Sequence, residues 1–232
     1  MPITPNKLYN ILISHFGHQD WWPVDKAYHK KNKSDLRFEI MVGAILTQNT
    51  AWTNVERALE NLKKNDSLSV GKIIRADEKS LKTMIQPSGF FNQKSQRLKV
   101  FAIYLHEKYE DDLDKFFSRD LQELRQELLS LNGIGHETAD SILLYAGDFP
   151  IFVVDAYTRR ICKRISINVE RDSYDYIQKY FEEKLSINDS EKDTVFLYKQ
   201  IHALIVELAK NYCKKKPDCN NCPLFACCEF NL

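Results

Sequence analysis

Five cysteines fall within the last twenty residues, and four of them, Cys213, Cys219, Cys222 and Cys228, follow the spacing C-x5-C-x2-C-x5-C. Four thiolates in such a run suit tetrahedral zinc or a [4Fe-4S] cluster, and spacing alone does not choose between them. In a chain whose start, "MPITPNKLYNILISHF", has no secretory pattern, cysteines this dense point to metal rather than disulfides. Cys227 is as well placed as Cys228 to close the set. Cys162 lies in an apolar helical context and is expected in the core.

A second pattern lies in "LNGIGHETADSILLYAGDFPIFVVDA", residues 131–156. Gly133 and Gly135 permit positive φ and close backbone approach. The amides of this turn, with Ile134 between the glycines and Thr138 in the next helical turn, can form an anion site at a helix entrance. A tight connection between two antiparallel helices reads equally well from the glycines. About twenty positions past the turn, the apolar run "IFVV" ends on a single carboxylate, Asp155. It is placed to N-cap "AYTRRICKR", to serve as an acid in a site, or both.

These residues need a scaffold, and its period is helical. "TPNKLYNILISHF" offers Thr4 as N-cap and Pro5 at the first helical position, with Leu8, Leu12 and Phe16 on one stripe. "SDLRFEIMVGAILTQNT" starts at a Ser34/Asp35 cap and is apolar on most sides, as a central buried helix would be. "AWTNVERALENLKK" is amphipathic, "LQELRQELLSLNG" stops at Gly133 and "ETADSILLYAG" stops at Gly147. "SYDYIQKYFEEKL" and "TVFLYKQIHALIVELAKNYC" add two more helices. No alternation of period two is sustained, so the fold class is all-α. At 232 residues, 44% hydrophobic and 12% aromatic, the chain can bury a substantial core. Seven glycines and seven prolines are too few for a many-stranded sandwich. No apolar run has membrane-spanning length, and a cytoplasmic monomer is expected. The net charge of +1 conceals basic clusters at 30–33, 159–164 and 213–219, compatible with a nucleic-acid face.

Together, "GAILTQNT", "PSGFFNQKSQRL", "LNGIGHETAD", "VVDAYTRRICKRI" and "CKKKPDCNNCPLFACCE" resemble the helix-hairpin-helix DNA glycosylases of the endonuclease III superfamily. The resemblance implies a six-helix barrel with the hairpin, over residues 30–146. It also implies a second helical domain, residues 1–29 with 147–232, carrying a terminal [4Fe-4S] loop on Cys213, Cys219, Cys222 and Cys228. The partner is then double-stranded DNA with a damaged base. The family's catalytic carboxylate falls on Asp155, in a cleft between the domains. Backbone contacts fall on Gly133, Ile134, Gly135, Thr138, Arg159, Arg160, Lys214, Lys215 and Lys216. Gln48 and Phe90 match the residues that fill the gap left by a flipped base.

Two departures refine the expectation. Bifunctional members carry a lysine nucleophile where this chain has Glu137, and a carboxylate cannot form a Schiff base. The chain should therefore resemble the monofunctional members, with water as nucleophile. Five residues separate the first two cysteines where endonuclease III has six. "WWP" at 21–23 and "LTQNTAW" resemble the 3-methyladenine branch, which places Trp21, Trp22, Pro23, Trp52 and Glu137 at the base pocket. Aromatic faces suit a cationic alkylated purine. The alternatives are an oxidised pyrimidine, uracil or mismatch substrate, with or without strand cleavage, and a non-catalytic damage-binding protein.

Overall fold

The computed structural model describes residues 3–165, 167, 173–185 and 190–231, and among them there are α-helices and short 3-10 turns but no strand. The chain divides into two compact units, Trp22–Gly147 and Met1–Trp21 with Asp148–Leu232. Helix α1 (Pro5–Phe16) opens the chain, with the Thr4 side chain accepting from the Lys7 amide and Pro5 at the first position. Leu8 and Leu12 are fully buried, while Phe16 is half-buried.

The Trp22–Gly147 unit contains α2 (Lys26–Asn32), α3 (Leu36–Leu46), α4 (Trp52–Lys64), α5 (Val70–Arg75), α6 (Glu78–Ile85), α7 (Phe91–Tyr109), α8 (Leu113–Phe117), α9 (Leu121–Ser130) and α10 (His136–Tyr145). Helix α3 is the hub. Every residue from Phe38 to Leu46 is buried, and the helix packs against α4, α7 and α10. This follows from its near-uniform apolarity, which leaves no face for solvent.

The first boundary falls at residue 22, not at 30, and the second at 147 rather than 146. The reason for the first is a buried polar network. Glu39, 2% exposed on α3, accepts from His29 Nε2 at 2.9 Å and from the Asp25 amide at 3.0 Å, and Lys63 Nζ lies 3.4 Å away. Residues 25–29 are thereby tied into this unit. Burial pushes the Glu39 carboxyl up, but the bonds from His29 and Asp25 and the Lys63 charge outweigh it and hold the group below its ordinary value.

The other unit consists of α1, α11 (Ala156–Arg164), α12 (Tyr174–Lys184), α13 (Glu191–Asn211) and the cysteine-bearing segment. Helix α13 packs against α1 and α11, and α1 also meets α12. Cys162 is 1% exposed and belongs to this core. Among the described residues no helix is long and apolar enough to cross a membrane.

Glu39→Leu removes the carboxylate that the buried His29 Nε2 meets and one of the partners of Lys63, and should cost about 3–5 kcal/mol, read by urea unfolding at neutral pH. A carboxyl lowered on folding stabilises above its unfolded value and loses that contribution as pH falls. Wild type should therefore lose this margin below pH 4.5, while the variant's stability curve is flatter there.

Candidate active site and nucleic-acid interface

The run Ile151–Val154 is extended and almost fully buried, so its peptide groups need partners within the protein. Helix α12 supplies them from side chains. Glu182 Oε1 accepts from the Phe152 amide at 2.9 Å, Gln178 Nε2 donates to the Phe152 carbonyl at 2.6 Å, and the Tyr174 hydroxyl accepts from the Val154 amide at 3.3 Å. Phe152 stacks on Phe181, with centroids 4.5 Å apart and planes 2° from parallel.

The chain leaves this anchored run at Asp155, which is 8% exposed and N-caps α11. Its Oδ1 accepts from the Thr158 amide at 2.6 Å and the Thr158 hydroxyl at 2.8 Å. Its Oδ2 faces His202 Nε2 on α13, 3.8 Å away and beyond direct hydrogen bonding. Burial pushes the His202 imidazole below its ordinary value, against the pull of Asp155. Asp155 thus caps a helix N-terminus beside a histidine whose protonated form burial disfavours. No local pattern points to His202, which lies far downstream of Asp155 on another helix.

The hairpin is built from α9, α10 and the turn between them. Gly133 has φ +86°, and a Cβ there would sit 2.6 Å from Arg97 Cδ and 2.8 Å from Arg97 Cγ. A Cβ on Gly135 would meet no heavy atom within 4 Å, so the surface there is open. Arg125 of α9 forks onto the fully buried Asp140 of α10 at 2.7 and 3.0 Å and contacts His136 Nδ1 at 3.0 Å. This bidentate pair fixes the angle between the two hairpin helices.

Several expected contacts are placed differently. The Ile134 and Thr138 side chains are buried, so the anion site expected at this turn would be made by backbone amides alone. Gln48, expected to fill the gap left by a flipped base, donates from Nε2 to the Gly133 carbonyl and the Thr138 hydroxyl, each at 2.9 Å, and accepts from Arg97. Its amide braces the hairpin turn. Phe90 is 62% exposed and held at φ +46°, an uncommon conformation for a bulky residue.

Of the expected base-pocket residues, Pro23 and Trp52 line one cavity of about 590 Å³, together with Asp25, Glu39, Glu56 and Lys63. Trp22 instead packs edge-on against Trp52, with centroids 5.1 Å apart, and its ring lies against Gly43. It has the surroundings of a core residue. In the other unit, Lys210 Nζ sits 5.6 Å from the Trp21 ring centroid. Glu137 is exposed in the first turn of α10.

Cys213, Cys219, Cys222 and Cys228 line one pocket with Leu208 and Leu224, and Cys227 is not part of that wall. Burial first, then the neighbouring cysteines, push the Cys222 thiol up to about 11. Among the described residues no set of three or more His, Cys, Asp or Glu side chains is arranged to hold a metal ion. Arg160, expected on phosphate, donates from Nε to the Cys213 carbonyl at 2.9 Å. Arg164 reaches Cys213 Sγ at 3.1 Å and the Lys214 carbonyl at 2.6 Å, leaving Lys214, Lys215 and Lys216 exposed. Arg159 is half-buried.

A family model described as HhH-GPD superfamily base excision DNA repair protein matches residues 42–186, a span that includes the hairpin, the apolar run and Asp155. The chain belongs to the HhH-GPD superfamily. It is 47% identical to a Methanocaldococcus jannaschii protein provisionally named a DNA repair glycosylase, over 96% of this chain and 94% of that one. It is 27% identical to endonuclease III of Sulfolobus acidocaldarius, covering 84% and 82% of the two chains. Among solved structures, the H. pylori 3-methyladenine DNA glycosylase bound to 1,N6-ethenoadenine aligns at TM-score 0.71 and 29% identity, over 89% of this chain and 97% of that one. An endonuclease III–DNA complex shares the fold at TM-score 0.76 and 18% identity, over 98% and 96%. This HhH-GPD chain is thus a DNA glycosylase of base excision repair with the all-α fold of endonuclease III.

Gly133→Ala should destabilise by about 1–2 kcal/mol from its left-handed backbone alone, read by thermal unfolding. Combining it with Arg97→Ala should cost less than the sum, because removing the arginine side chain removes the overlap.

Proposed function

We propose that this glycosylase is monofunctional and hydrolyses the bond between deoxyribose and an alkylated purine, with water as nucleophile. Asp155 carries the reading. A buried carboxylate delivered by an anchored run, one oxygen held by Thr158, has no role in merely gripping DNA. A duplex-bound base must leave the stack before its glycosidic bond is reachable. Bond cleavage then builds oxocarbenium-like positive charge on the sugar, which a fixed carboxylate stabilises while orienting or deprotonating water.

The other residues take supporting roles in this reading. The open surface at Gly135 and the first amides of α10 accept a phosphate, as do Lys214, Lys215 and Lys216. Phe90, exposed and aromatic, is the wedge that fills the gap left by the flipped base. Glu137 stands where an amine would attack the sugar and cannot do so. Trp21 and Trp52 supply stacking faces, and the 29% identity to a 3-methyladenine glycosylase supports an alkylated purine. One observation favours a neutral lesion instead. A ring that already faces the Lys210 cation attracts a second cation less.

We also propose that Cys213, Cys219, Cys222 and Cys228 hold a [4Fe-4S] cluster. Four thiols lining one pocket fit it in donor type and number, and each would bind a different iron. Such a cluster would order the loop that presents Lys214–Lys216.

Asp155→Asn should lower base excision roughly 10²–10⁴-fold while duplex binding persists, and wild type treated with borohydride during turnover should trap no covalent DNA adduct. Excision at the wild-type rate by the variant overturns the mechanism, and efficient trapping overturns the monofunctional assignment. Release of 3-methyladenine from methylated DNA, set against release of uracil, decides between the cationic and neutral substrates. Anaerobically purified protein should be yellow-brown with about four irons per chain, and Cys228→Ser should lose them while Cys227→Ser keeps them. Stoichiometric zinc without visible absorbance overturns the cluster.

A further inference from the structure

Helix α7 carries a lysine that no reaction step uses. Lys94 is 1% exposed, yet among the described residues no carboxylate meets its ammonium. Nζ donates instead to two backbone carbonyls, Leu46 at 2.8 Å and Ser88 at 2.7 Å. Leu46 is the last residue of α3, immediately before the turn that carries Gln48. Ser88 precedes Gly89 and Phe90, both at positive φ, and Phe90 then begins α7. One buried cation thus joins the roots of two loops. Arg97, one turn further along α7, bonds Gln48 and lies against Gly133.

A buried ammonium is costly to desolvate, and a core position of this kind would ordinarily hold an apolar side chain. Met would fill the same volume at no electrostatic cost. It would also leave the Leu46 and Ser88 carbonyls without these donors. The lysine makes sense where holding two loops in register matters more than stability. Burial, and then the Arg97 charge, push its ammonium down to about 8, so at neutral pH it stays protonated and both bonds are charge-assisted.

We propose that Lys94 is a positioning residue for DNA insertion: it locks the Phe90 loop onto the Gln48 loop so that the exposed phenyl ring is held ready to enter the duplex. The proposal rests on the reading of Phe90 as the wedge. It needs no assumption about the excised base or about Asp155. Phe90 at positive φ is a strained arrangement for a bulky residue, and such strain persists only where surrounding bonds over-determine it. The Ser88 Oγ bond to the Ile85 carbonyl, at 2.7 Å, and the Lys94 bond to the Ser88 carbonyl supply that determination one and two residues upstream of the glycine and the ring.

The test uses the full-length protein and a duplex containing a tetrahydrofuran abasic-site analogue beside 2-aminopurine, whose fluorescence reports a ring inserted next to it. Wild type should change the fluorescence on binding and Phe90→Ala should not. Lys94→Met, shown folded by circular dichroism, should lose most of the change yet bind within about threefold of wild type, because phosphate contacts dominate affinity. A full fluorescence change in folded Lys94→Met, with Phe90→Ala silent, overturns the role of Lys94 and leaves the wedge intact. A full change in Phe90→Ala overturns the wedge and the proposal together. Lys94→Gln, too short to span both carbonyls, is the second variant if Lys94→Met does not fold, and the same outcomes decide it.

Discussion

A non-helical segment buried among helices must find a partner for each peptide group it hides, and the described residues hold no strand to offer one. The run Ile151–Val154 meets this constraint with side chains of α12, through Gln178, Glu182 and Tyr174. The consequence is positional. A segment bonded at Phe152 and Val154 and stacked through Phe152 on Phe181 has little freedom, so Asp155 begins α11 at a fixed point. Thr158 then fixes the carboxylate's first oxygen, and the macrodipole of α11 favours its negative charge.

In the Trp22–Gly147 unit, polar side chains again replace regular pairing. Gln48 binds the hairpin turn from a loop 85 residues away, Arg97 braces Gln48 and overlies Gly133, and Arg125 ties α9 to α10 through Asp140. In the proposed role, the hairpin must keep its amides aimed while charged strands pull on it. Bonds from outside the turn supply what its two glycines, which have no side chains, cannot.

Charge is distributed with the same economy. The cavity beside Trp52 is walled by carboxylates, which repel a phosphate backbone, and the nearest of them are tied to His29 and Lys63. Lys214, Lys215 and Lys216 are exposed, and Arg164 and Arg160 hold this loop from behind through the Lys214 and Cys213 carbonyls. Two arginines of the "RRICKR" cluster therefore work inside the fold, and a basic run that reads as a DNA surface is partly a brace for the cysteine loop.

Local pattern was enough to find α1, α3, α4, α9, α10, α12 and α13, because amphipathic period and caps are properties of neighbouring residues, but it assigned no helix to α2 or to α5 through α8. Thr4, Asp35 and Asp155 each cap the helix that the sequence assigns them, whereas α9 ends at Ser130, before the glycine expected to stop it. What the sequence alone could not supply was the partner of any group whose bond closes over a long loop. Gln48 reads as a side chain aimed at DNA until Gly133 and Thr138 are brought to it, Trp22 reads as a pocket wall until Gly43 receives its ring, and His202 and Lys94 read as ordinary helix residues. Periodicity reports which face of a helix is buried. It does not report what lies against that face, because that is set by how several helices pack at once, and the chemistry of buried polar groups depends on those neighbours alone.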